Sequence, residues 1–202
     1  MSYLVSFRNI LLFASALPAI AGSSANGIKN FYQVDEHVYR GAQPTGEGFQ
    51  YLAKIGVRTV IDLREADERS KGEESVVTAA GMKYVNVPMT GLTPPTDTEI
   101  AQILGILEGG GTGPVFVHCQ KGADRTGVVI ASYRIDHDHW DNARALKEAR
   151  DRGMSMFQFP RQGYIRAFQA RGTGGKTQEA LASSASNASS AGSAAANPSA
   201  LP

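Results

Sequence analysis

"GPVFVHCQKGADRTGVVIASYRI", residues 113–135, falls into three pieces whose order fixes the architecture. Gly113-Pro114 punctuates the start, and "VFVH" is a short apolar run of strand-forming residues. "CQKGAD" carries the small and polar residues of a tight loop. "RTGVVIASYRI" then continues as a helix entered directly from that loop. Strand, loop and helix in immediate succession make the unit from which parallel α/β sheets are assembled.

The flanking sequence repeats the alternation. "NFYQVDEHVYRG" reads as two short strands turning at Asp35-Glu36. A helix is expected from about Pro44 to Ile55, ended by Gly56. "VRTVIDL" and "MKYVNVP" read as buried strands, with "GEESVVTAAG" a helix between them. "TDTEIAQILGILEGG" opens on Thr96-x-x-Glu99, a capping-box pattern, and places Ile100, Ile103, Leu104 and Leu107 on one helical face. Two more helices are expected over about Asp141–Arg150, with Asp141 as N-cap, and about Arg161–Ala170. The expected fold is therefore α/β, a central mostly parallel sheet flanked by helices on both faces. In such sheets ligands bind beyond the carboxyl ends of the strands, and residues 118–127 occupy one such place.

Both ends of the chain differ from this core. "MSYLVSFRNILLFASALPAIAG" has a polar start with Arg8, an apolar run from Ile10 to Ile20 and a small-x-small site at Ala19–Ala21. That is the order of a signal peptide over residues 1–21, and it predicts export to a periplasm or the exterior. A buried N-terminal helix is the competing reading. The run falls short of the roughly 20 apolar residues that span a bilayer, so no stable span is expected after cleavage. Residues 173–202 are Ser-, Ala- and Gly-rich, with too little apolar bulk to offset the entropy of ordering, and are expected to be disordered. One domain is expected over 22–172. Twenty Lys and Arg against nineteen Asp and Glu leave no basic excess for nucleic acid. The single cysteine excludes an internal disulfide framework.

That cysteine, Cys119, stands at the end of the strand, with five residues between it and Arg125 at the start of the helix. A loop this tight turns successive backbone N–H groups inward, and the helix N-terminus adds unpaired N–H groups and positive dipole. Gly122 supplies backbone freedom, and Arg125 can grip a phosphate dianion through two parallel hydrogen bonds. Gln120, Lys121, Gly122, Ala123 and Asp124 complete the cradle with their main-chain N–H groups. The same field lowers the pKa of a thiol that ordinarily titrates near ~8.5. A resident thiolate can attack phosphorus in line, while the amides and Arg125 stabilise the equatorial oxygens. Thr126 is placed to direct its hydroxyl at the sulfur and ease its departure in the second step. His118 is expected to hydrogen-bond into the loop backbone. Lys121 is expected at the pocket rim, Arg40 and Arg64 in structural roles, and Trp140 as an anchor between helices. Arg161 and Gln162 carry no assignable function. His137 and His139 read as a solvated helix end, and no His/Cys/Asp cluster has metal-ligand spacing.

His118-Cys119-x5-Arg125-Thr126-Gly127 resembles the signature loop of the cysteine-dependent protein tyrosine and dual-specificity phosphatases. The likeness extends through "HVYRGAQP", "VRTVIDLRE" and "WDNARALKEA", and covers about residues 30–165. It is similar to the compact dual-specificity-type branch found in bacteria, some of whose members are exported. The resemblance implies a protein tyrosine phosphatase-like fold and a two-step mechanism through a phosphocysteine intermediate. The loop chemistry needs no metal or cofactor, and a monomer acting on a phosphorylated protein or a small phosphate ester is expected.

It also implies a carboxylic acid, on a loop before the signature strand, that protonates the leaving oxygen. Asp97 is the candidate in "MTGLTPPTDTE", although the family usually places its acid nearer Leu92 or Thr93. Asp97 also suits the first turn of a helix, where it meets the dipole. Asp124, Asp62 and Glu65 are the substitutes; Asp124 more naturally orients a side chain or loop amide. Without any acid, activity should favour phenolic esters such as phosphotyrosine. Inositol phosphates, or binding without turnover, are the competing functional readings.

Overall fold

The computed structural model describes residues 26–90, 92–109 and 113–172. The expected signal peptide over 1–21 and tail over 173–202 lie outside the described residues.

Five strands form one sheet: β1 (Tyr32–Gln33), β2 (Val38–Ala42), β3 (Thr59–Asp62), β4 (Lys83–Asn86) and β5 (Val115–Cys119). Their spatial order is β1-β2-β5-β3-β4, with only β1 antiparallel to its neighbour. The strand that ends in the cysteine is thus central. It is paired on one side with β2 (Ala42 opposite Cys119) and on the other with β3 (Asp62 opposite His118).

Side chains alternate across a strand, and this divides the core in two. Val115, Val117 and Cys119 of β5 join Val38 and Ile61 on one face, packed under Ile100, Ile103 and Leu104 of helix α3 (Asp97–Glu108) and Val129, Ile130 and Tyr133 of helix α4 (Asp124–Asp136). Phe116 and Val60 look to the other face, against Phe49 and Leu52 of α1 (Gly46–Lys54) and Val77 of α2 (Glu68–Ala79). Each fully buried Val, Leu or Ile contributes about 1.5–3 kcal/mol. A third cluster joins α4 to α5 (Asn142–Asp151) and α6 (Phe159–Ala167) through Val128, Ala131, Ala145, Leu146 and Ile165. Trp140 is partly buried against that cluster, with the Arg134 and Arg144 guanidinium groups over its ring.

Helix starts follow their caps. Thr96 and Glu99 form the capping box at α3, and Asp141 caps α5. Two helices begin earlier than the sequence pattern suggests. Asp67 accepts from Arg69 N–H and Ser70 N–H, so α2 gains a polar first turn that apolar periodicity cannot reveal. Helix α6 starts at Phe159 with Pro160 in its first turn, where a missing N–H costs nothing. Helix α4 ends at Asp136, leaving His137 and His139 exposed at its terminus. Among the described residues, no helix is long and apolar enough to cross a membrane.

Candidate active site

Strand alternation separates the two residues at the end of β5. Cys119 faces α3 and α4, and His118 faces α2. Beyond Cys119 the loop curls tightly because Gly122 adopts φ +63° and lies directly on Gly41 of β2. A Cβ at Gly122 would overlap the Gly41 carbonyl and the Ala42 nitrogen. Gly41 is itself backed by Ile28 and Phe116, each 2.8–3.0 Å from where its own Cβ would stand.

Donors outside the loop hold its carbonyls turned away from the centre. Asn30 Nδ2 and Arg40 Nη2 each donate to the Gly122 carbonyl at 2.8 Å, and Gln43 N–H donates to that of Gln120 at 3.4 Å. With the carbonyls held outward, N–H groups of the loop are left for an anion inside it. Helix α4 reinforces this arrangement. Its first residue is Asp124, and Ala123 before it offers no side-chain cap, whereas Thr45, Asp67, Thr96 and Asp141 cap α1, α2, α3 and α5. Its first N–H groups, without a side-chain cap, are left to the sulfur and to a bound anion.

Burial would raise the pKa of Cys119, which is 2% exposed. The Thr126 hydroxyl, the N–H groups of Thr126 and Lys121, and the Arg125 charge outweigh that burial and hold the thiol below its ordinary range. Thr126 Oγ1 is buried with no other hydrogen-bond partner among the described residues, which leaves its hydroxyl to act on the sulfur. Arg125 is half-buried, and its Nη1 donates to the carbonyls of Leu63 (3.4 Å) and Met89 (3.3 Å), past the ends of β3 and β4. Gln120 and Lys121 are exposed at the rim. Asp124 orients a backbone amide as expected, accepting from Ser155 N–H at 2.8 Å.

The expectation that His118 bonds into the loop backbone is corrected. Its ring points to the opposite face, stacks on Phe116 and places Nε2 2.7 Å from Glu73 Oε1 of α2. Glu73 Oε2 in turn accepts from Arg64 Nη2 at 2.6 Å and from Gln43. Arg64 forks onto Asp62 at 2.8–3.1 Å, and Tyr84 Oη donates to Asp62 as well. Burial acts to raise Asp62, but the Arg64 hydrogen bonds and the nearby His118 keep it below the usual carboxylate range. Asp62, Glu73 and His118 have ligand atoms within 4.8 Å of one another, a proximity their spacing in sequence conceals. Arg64 already supplies the positive charge between the two carboxylates. Arg40 and Arg64 are therefore buried structural cations, and burial pulls Arg40 down to about 10.

Arg161, to which sequence reasoning gave no function, belongs to the site. It is fully buried, and it lies near enough to Arg125, Asp124 and Cys119 for their charges to act on it. Its Nη2 donates to the Thr90 carbonyl at 2.5 Å and its Nη1 to Gln158 Oε1 at 2.5 Å. The sequence carried no signal for this, since Thr90 lies 71 residues away.

Asp97 sits in the first turn of α3, where Tyr164 Oη donates to it at 2.9 Å. It lines a groove between α3 and α6 with Ile100, Leu104 and Phe168. The strongest influences on Cys119 come from the loop and α4, and Asp97 is not among them. Asp62 is committed to Arg64, and Glu65 is exposed.

A central parallel sheet carrying a Cys-x5-Arg loop into an uncapped helix defines the protein tyrosine phosphatase-like class. The chain belongs to the family described as "DSP-PTPase phosphatase fused to NAD+ Kinase", whose model matches residues 16–166. It is 32% identical over 120 residues to the dual specificity protein phosphatase TpbA of Pseudomonas aeruginosa, a match covering 59% of this chain and 52% of that protein. The chain thus spans about half the length of the curated relatives it matches first. A crystal structure of P. aeruginosa TpbA, in a Cys-to-Ser form in complex with pTyr, aligns with TM-score 0.63 and 28% identity over 78% of this chain and 93% of that one. The core catalytic domain of the PP-IP phosphatase SIW14 from S. cerevisiae shares the fold at TM-score 0.64 and 21% identity, over 76% and 93% of the two chains.

Proposed function

We propose that this protein hydrolyses phosphotyrosine in proteins, and phosphoserine or phosphothreonine more slowly, through a phosphocysteine intermediate. One observation carries the reading. A sulfur held below its ordinary pKa lies at the centre of a loop whose carbonyls are tied outward and whose helix N-terminus is open. The TpbA relative, named a dual specificity phosphatase and solved with pTyr, supports the choice of substrate.

In the first step Cys119 Sγ forms a bond to phosphorus as the bond to the tyrosyl oxygen breaks. Arg125 and the loop amides stabilise the charge on the equatorial oxygens. The departing phenolate takes its proton from solvent, which its modest basicity allows. In the second step water attacks phosphorus, the S–P bond breaks, and Thr126 steadies the returning thiolate. Inorganic phosphate and a proton leave.

The inositol-phosphate reading gains little support. It requires extra cations around the pocket, and Arg40, Arg64 and Arg161 are buried and bonded to the Gly122 carbonyl, to Asp62 and Glu73, and to Thr90 and Gln158, with Lys121 exposed at the rim. Hydrolysis of p-nitrophenyl phosphate and of a phosphotyrosine peptide by wild type and Cys119→Ser tests the proposal. Turnover abolished by the substitution supports it. Saturable peptide binding without turnover by the wild type would make this a binding module instead.

The leader pattern over residues 1–21 and the Pseudomonas relative support a bacterial enzyme that works outside the cytoplasm. A mature protein that starts at Gly22 after expression in a Gram-negative host would bear this out; retention of Met1 would refute it.

A further inference from the structure

Four of the five large apolar side chains exposed among the described residues lie on two segments tied to this site: Leu92 (76% exposed), Met156 (68%), Phe157 (75%) and Phe159 (68%). They come from two segments far apart in sequence, and both segments are fastened to the catalytic loop and to each other. Ser155 N–H donates to Asp124 Oδ1, and Gln162 Nε2 donates to the carbonyls of Ser155 (3.0 Å) and Met156 (3.1 Å). Arg161 ties Gln158 of one segment to Thr90 of the other, two residues before Leu92. Met89, just before Thr90, accepts from the phosphate-gripping Arg125. The backbone is held at Thr90, Ser155 and Met156, while the four apolar side chains are left in water. An apolar cluster on a braced scaffold beside a pocket marks a contact surface.

From this arrangement, and resting on the phosphatase reading above, we infer that the Leu92–Met156–Phe157–Phe159 rim selects phosphotyrosine peptides with a large apolar residue two positions from the phosphotyrosine. In an extended peptide, residues two apart point to the same side. A phosphotyrosine seated on Cys119 therefore directs its second neighbour, before or after, at the wall around the pocket. The two segments, "LTPP" at 92–95 and "SMFQFP" at 155–160, contain no charged residue, so nothing in them attracts an acidic peptide or an anionic headgroup. The chemistry that fits is a dianion for the loop and an apolar side chain for the rim.

The test compares kcat/KM for phosphotyrosine peptides bearing Phe, Leu, Ser or Glu two positions from the phosphotyrosine, each divided by kcat/KM for p-nitrophenyl phosphate. That small ester reports the chemistry without reaching the rim. For the wild type this ratio should be about tenfold higher with Phe or Leu than with Ser or Glu. The triple variant Met156→Ser, Phe157→Ser, Phe159→Ser, and separately Leu92→Ser from the opposite segment, should reduce that preference. Taking the ratio cancels any general loss from misfolding. Equal ratios in the wild type, or a preference that survives both variants, would overturn the rim assignment and leave the phosphatase reading intact. Failure of the wild type to hydrolyse p-nitrophenyl phosphate would overturn both. Sedimentation with phosphatidylcholine–phosphatidylglycerol vesicles that the triple variant loses, alongside equal peptide ratios, would assign the rim to a lipid surface and refute the peptide.

Discussion

Arg161 donates to the carbonyl of Thr90 at 2.5 Å, fastening the first turn of the last helix to the loop that follows β4. The bond holds a fully buried guanidinium within the field of the half-buried Arg125 and of Cys119.

Arg161→Met, which keeps bulk and removes the donors, should therefore lower kcat/KM for p-nitrophenyl phosphate by roughly 10–100-fold, the worth of a charged hydrogen bond. Arg161→Lys should recover part of that loss. Hydrogen exchange should accelerate in the amides of residues 88–95 in the Met variant. If kcat/KM merely tracks the folded fraction in both variants, Arg161 is structural and does not position this loop.

Thr126→Val should move the acidic limb of the kcat/KM profile to higher pH. The direction follows from the sign of the interaction. The thiolate is the reactive form, the Thr126 hydroxyl and N–H favour it, and removing the hydroxyl raises the pH at which it appears. The rate at neutral pH should fall about tenfold. Iodoacetate alkylation of Cys119 across pH measures the same shift without turnover.

Glu73→Leu should cost about 3–5 kcal/mol in urea unfolding, because it strands the buried His118 and takes one partner from Arg64. The same network sets an acid limit. Asp62 is held below its ordinary pKa, so its contribution is complete above the unfolded carboxylate range, about pH 4, and is lost as pH falls through the depressed folded value. Asp62→Asn should accordingly flatten the acid limb of a stability–pH curve.

Asp97→Asn should change p-nitrophenyl phosphate hydrolysis by less than about threefold, since Tyr164 already occupies that carboxylate. Phosphoserine peptide should remain a far poorer substrate than phosphotyrosine peptide in wild type and variant alike. A loss confined to the serine ester would return Asp97 to the role of acid.

Much of this was legible in the chain itself. Short apolar runs marked β3, β4 and β5, Thr96 and Glu99 announced α3, and the spacing from Cys119 to Arg125 located the anion cradle. Contacts set by the tertiary fold were not legible. Nothing local links His118 to Glu73, 45 residues earlier, although the alternation of Val115, Val117 and Cys119 already sends the histidine to the other face. Arg161 was hidden for a related reason: its acceptor at Thr90 lies in a loop with no pattern of its own, and a lone arginine after a proline looks like any exposed helix start. Helix α2 began early because a polar cap leaves no trace in hydrophobic periodicity.

The contact of Gly122 on Gly41 means that the strand beside the cradle shapes its curve, backed in turn by Ile28 and Phe116. A methyl group added at either glycine would be felt through three layers. Gln120 and Lys121, facing water between these fixed points, can change without disturbing the frame. If the proposed activity holds, efforts to redirect it toward other phosphate esters should randomise those two positions and leave both glycines alone.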